Sequence, residues 1–92
     1  MIVVDTNILV YFYAETPHLS SAARALFDID PLWYAPYLWR SEFRNALTMR
    51  MRHEKMPLDR VLQTIQEAEE QMQGRERSIS AIRVMRLVAS ST

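Results

Sequence analysis

Cysteine is absent from the 92 residues, glycine occurs once, and the formal charges cancel to zero. The first absence excludes disulfide frameworks, thiolate zinc sites, iron–sulfur ligation and cysteine nucleophiles together, and fits a reducing cytosol most easily. The single glycine and four prolines come with no internal repeat, low-complexity tract or linker. No apolar run approaches the 18 or so residues that span a membrane, and Met1-Ile2-Val3-Val4 meets an acid at Asp5 without a basic leader. The expectation is one cytoplasmic domain with neither signal peptide nor membrane anchor. Zero net charge also argues against a blanket attraction to nucleic acid.

The charges are unevenly placed. Residues 1–39 carry −3, 40–55 carry +3, 56–76 carry −3, and 77–92 carry +3. This alternation describes either solvated helix faces or a patch that faces RNA. Ten of the 11 cations are Arg, whose planar fork suits bidentate phosphate contact.

Ile2-Val3-Val4 is a short β-branched run of the kind buried on both faces in parallel sheets. Thr6 and Asn7 are good helix caps, and Ile8 to Phe12 continues apolar, so a strand-to-helix turn is expected. Thr16-Pro17 opens a helix over about 17–28, and Leu32 to Ala35, bracketed by prolines, reads as a second strand. The longest helix is expected from Tyr37 to about Lys55. The next is capped by Asp59, with Leu58, Val61, Leu62, Ile65, Ala68 and Met72 on one stripe ending before Gly74. A last amphipathic helix is expected to carry Ile79, Ile82, Met85, Val88 and Ala89 on one face. This order of elements indicates an α/β domain, although two parallel strands make a poor sheet by themselves.

Ligands of open α/β sheets bind beyond the carboxyl ends of the strands, where Asp5 stands. Beside Thr6 and Asn7 its carboxylate suits a hard cation; equally, all three residues suit a helix cap. Glu42 shares a helix face with Leu38, Asn45 and Met49, and an acid among apolar neighbours needs a partner or a metal. Arg44 is one such partner, and Asn45 is placed to hold Glu42 in one rotamer. His18 and His53 lack a second histidine nearby, and Ser90 and Ser91 lack a base, so neither pair makes a metal or nucleophile site. Trp33, Tyr34, Tyr37 and Trp39 suit core packing better than base stacking. Met49, Met51, Met56 and Met72 read as gap-filling core or partner surface.

Ile2-Val3-Val4-Asp5-Thr6-Asn7-Ile8-Leu9 resembles the opening strand and D-T-N motif of PIN domains. Pro36 to Leu47, with Glu42 and Asn45 three apart, resembles their second motif. The closest flavour is the VapC-type toxin of toxin–antitoxin operons. The resemblance implies a PIN-like α/β fold, a short parallel sheet flanked by helices, over a single domain of residues 1–92. It also implies a Mg²⁺- or Mn²⁺-dependent endoribonuclease in which a metal-activated water cleaves RNA. Asp5 and Glu42 would be catalytic metal ligands, Thr6, Asn7 and Asn45 orienting residues behind them, and Arg40 and Arg44 contacts to RNA. A cognate antitoxin is the implied partner.

The family pattern continues with a further helix and strands bearing two more acids, whereas this sequence has no Asp or Glu after Glu76. The expectation is therefore a domain truncated before those elements, inactive or very weak alone. A sheet edge left bare would favour a homo-oligomer. Two other readings stand beside the enzyme: a non-catalytic module that dimerises or binds an antitoxin, and an unrelated small helical binding protein.

Overall fold

The computed structural model describes residues 1–77 together with the backbone strand Val84–Met85. Four parallel strands form the sheet: β1 (Ile2–Val4), β2 (Trp33–Pro36), β3 (Glu76–Arg77) and β4 (Val84–Met85), in the order β3-β2-β1-β4. Two helices, α1 (Thr6–Tyr13) and α2 (Leu19–Ile29), connect β1 to β2; α3 (Trp39–His53) and α4 (Leu58–Gln71) connect β2 to β3. The expected α/β class with a short parallel sheet is thus present. No helix among the described residues is long and apolar enough to cross a membrane.

β1 is buried because it is central, with β2 on one side and β4 on the other. Parallel pairing requires long crossovers, and the helical crossovers cover the apolar strands, which is why Val3 and Val4 can both be buried. α1 packs against α2, α3 and α4, and its Ile8 and Leu9 join Val4, Trp39, Phe43 and Leu47 in one core. Phe12, Phe27 and Trp33 extend it, with ring centroids 5.0–5.3 Å apart. Arg50 of α3 donates to the carbonyls of Ala14 and Glu15, at 3.4 and 3.0 Å, so one helix caps the carboxyl end of another.

Several expectations are corrected. Val84–Met85, expected within the last helix, is a strand paired with β1 at Val3 and Val4. β1's open side offers backbone partners, and that tertiary demand overrides a short helical periodicity. Ile79, Ile82, Val88, Ala89, Ser90 and Ser91 lie outside the described residues. β3 was not expected at all, and a two-residue strand is too short to show alternation. The second helix begins at Leu19, two residues after Pro17, because Pro17 and His18 form a separate turn and His18 takes a left-handed φ of 66°. Asp59 does not cap α4: its Oδ1 accepts from the adjacent Arg60 amide, and Pro57 is the capping position. Leu58 and Leu62 fall outside the buried stripe of α4, which instead holds Val61, Thr64, Ala68 and Met72.

Candidate metal and RNA site

In a sheet of order 3-2-1-4 the chain runs outward from β1 on one side and returns to its other side, so β1 and β4 flank the switch point where such sheets place ligands. Asp5 is the first residue beyond β1 and the cap of α1, and its Oδ1 accepts from the Ile8 amide at 3.2 Å. The cap is therefore Asp5 itself rather than Thr6 or Asn7. A capping carboxylate at a helix N-terminus sits in the favourable end of the helix dipole.

Thr6 follows, only 8% exposed, and its hydroxyl donates to Glu42 Oε1 at 2.6 Å. This hydrogen bond spans 36 residues and joins the exit of β1 to the first turn of α3. Glu42 also lies at a helix N-terminus, so two helix ends of the same polarity meet at one edge of the sheet with a carboxylate on each. The face around Glu42 is open to solvent, with Leu38 and Met49 exposed beside it, so the expectation that these apolar neighbours oblige Glu42 to find a partner or a metal is corrected. Asn7 and Asn45 are exposed, and their side chains make no hydrogen bond among the described residues. Thr6, not Asn45, fixes the Glu42 rotamer.

Arg40 and Arg44 flank Glu42, and both are committed. Arg40 Nε lies 3.4 Å from Glu76 Oε2, while Arg44 Nε and Nη2 reach Glu69 Oε2 at 2.9 and 2.6 Å. Glu76 Oε2 also accepts from the indole N–H of fully buried Trp39 at 3.0 Å, which removes the cost of an unpaired buried donor. Glu69 and Glu76 were not singled out from sequence. The available signal was the alternation of charge, since the acidic segment 56–76 folds onto the basic segment 40–55.

Asp5 and Glu42 offer hard carboxylate oxygens, which match a divalent cation that prefers oxygen ligands and retains water. Among the described residues no group of three or more His, Asp or Glu side chains could hold a metal. Comparison with protein families, with curated proteins and with solved structures finds no match to this chain.

Proposed function

We propose that the chain is a PIN-type endoribonuclease, the cytoplasmic toxin of a type II toxin–antitoxin pair, with weak turnover of its own. The observation that carries this reading is the Thr6–Glu42 hydrogen bond, which unites the two PIN-like motifs at the carboxyl edge of a parallel sheet. Asp5 and Glu42 would hold Mg²⁺ or Mn²⁺, a role that one or two carboxylates can fill when water and substrate phosphate complete the shell. Such an ion supplies a water of lowered pKa and neutralises phosphate charge. Thr6 keeps Glu42 in one rotamer, and Arg40 and Arg44 are the cations nearest in sequence for phosphate contact. Two acids hold an ion loosely, and small misplacements of a reacting water cost about 10²-fold in rate, hence the weak turnover.

Exposed Leu38, Met49, Leu58 and Leu62 on α3 and α4 support a second reading, a non-catalytic module that self-associates or binds an antitoxin. Cleavage of single-stranded RNA in Mn²⁺, in Mg²⁺ and in EDTA, with Asp5→Asn in parallel, separates the two. Slow metal-dependent cutting that disappears in Asp5→Asn is expected of the enzyme. A folded protein that does not cut, and that scatters light as a dimer or larger, is expected of the module.

A further inference from the structure

Four aromatic side chains surround the passage from β2 into α3, and burial separates them. Trp33 is buried against Phe12 and Phe27. Trp39 is fully buried with its indole N–H on Glu76. Tyr34 is half-buried, and the Arg77 guanidinium lies 4.1 Å from its ring centroid. Tyr37 differs from all three, which corrects the expectation that it packs in the core: it is 63% exposed, and among the described residues no ring, cation or hydrogen bond engages it. Leu38 beside it is more exposed still.

The strand register places the backbone that carries this open ring close to the candidate site. Ile2 pairs with Trp33 and Val3 with Tyr34 on strands about 5 Å apart, so by the same register Asp5, one residue beyond β1, is level with Pro36, and Tyr37 comes next. Arg40 and Glu42 follow within five residues on the first turn of α3.

Resting on the ribonuclease reading, we propose that Tyr37 is a base-stacking residue that holds single-stranded RNA beside Asp5 and Glu42. Unpaired bases present a π-face that an open aromatic ring can cover, whereas duplex bases are already stacked on one another. The charge balance at this edge favours the same assignment. Arg40 and Arg44 are held by Glu76 and Glu69, so phosphate must displace those acids, and purely ionic attraction is partly cancelled. Stacking supplies affinity that salt does not screen, which gives RNA binding a shallow salt dependence.

The test is fluorescence anisotropy of a labelled single-stranded oligoribonucleotide in EDTA, with the native chain, Tyr37→Ala and Tyr37→Phe. Tyr37→Ala is expected to weaken binding about 5- to 100-fold, and Tyr37→Phe to bind within about twofold of the native chain. The same oligonucleotide annealed to its complement is expected to show no difference among the three. Equal urea midpoints establish that the variants are folded. Unchanged single-strand affinity in Tyr37→Ala, or an equal loss in Tyr37→Phe, overturns the stacking role while leaving the ribonuclease reading intact. Unchanged affinity accompanied by a lower molar mass in Tyr37→Ala assigns the ring to contact with a second copy of the chain and overturns the proposal. No binding of single-stranded RNA by the native chain overturns both readings.

Discussion

Thr6 is nearly buried, yet its hydroxyl reaches an exposed carboxylate, so the single bond to Glu42 links the core to the surface. Thr6→Val keeps the shape of the side chain and removes only the donor. Because Glu42 remains solvated, the expected loss of stability is modest, about 0.5–1.5 kcal/mol by urea unfolding, and Thr6→Ser should recover most of it. Any metal-dependent activity should fall more steeply, since Glu42 regains its other rotamers. Tyr13 gives a second reading at this scale. Burial, with Glu67 nearby, pushes its phenol up to about 12 against partial relief from Arg75, and its hydroxyl donates to Gln71 Oε1 at 2.8 Å. The ordinary value is 10.0, so the unfolded chain ionises first as pH rises. Tyr13 therefore contributes stability in full below pH 10 and loses it progressively between 10 and about 12. Urea midpoints at about pH 9 and about pH 11 should fall further for the native chain than for Tyr13→Phe. Asp5 and Glu42 were legible as candidates in the sequence because acids after a β-branched run and in a first helical turn are conspicuous. Their link through Thr6 was not, since a contact across 36 residues leaves no periodic trace.

At the scale of elements, helices were read more reliably than strands. α3 and α4 carry many turns of pattern, and their positions follow from it; β3 and β4 have two residues each, too few for alternation to register. Of the stripe expected on α4, Val61, Ala68 and Met72 are buried and Ile65 packs against the core, whereas Leu58 and Leu62 are exposed; Thr64 satisfies its hydroxyl on the Arg60 carbonyl at 2.8 Å and so can be buried where Leu62 is not. The lone glycine does what its position suggested. Gly74 takes φ 78° in the turn after α4, with the Arg75 amide returning to the Met72 carbonyl at 3.0 Å. A Cβ there would meet nothing within 4 Å, so the cost of Gly74→Ala is conformational alone. Thermal unfolding should show a loss of about 1–2 kcal/mol, the ordinary penalty for a side chain in the left-handed region. An unchanged midpoint would mean that the turn relaxes without cost. The turn also delivers the chain to β3, and hence Glu76 to Trp39 and Arg40.

For the whole molecule, zero net charge conceals an internal division of labour. Acidic α4 and Glu76 of β3 fold against basic α3, so charges that looked like a surface pattern are partly internal partners: Arg44 with Glu69, Arg40 with Glu76. Exposed pairs of this kind contribute about 0–1 kcal/mol each and serve registration of the helices more than stability. The parallel sheet sets two further acids, Asp5 and Glu42, at its carboxyl edge, where the order of strands reverses. The α/β class was readable from the succession of apolar runs and helical stripes, whereas the strand order, a tertiary property, was not.

The central claim is that Asp5 and Glu42 form one cation site, and thermal unfolding with and without Mn²⁺ tests it most directly. An ion that binds only the folded chain adds about 1.4 kcal/mol at tenfold excess over its Kd, which raises the midpoint of a domain this size by several degrees. The account predicts that rise for the native chain and its disappearance in both Asp5→Asn and Glu42→Gln. A rise that survives either substitution, or no rise at any Mn²⁺ concentration, would contradict it.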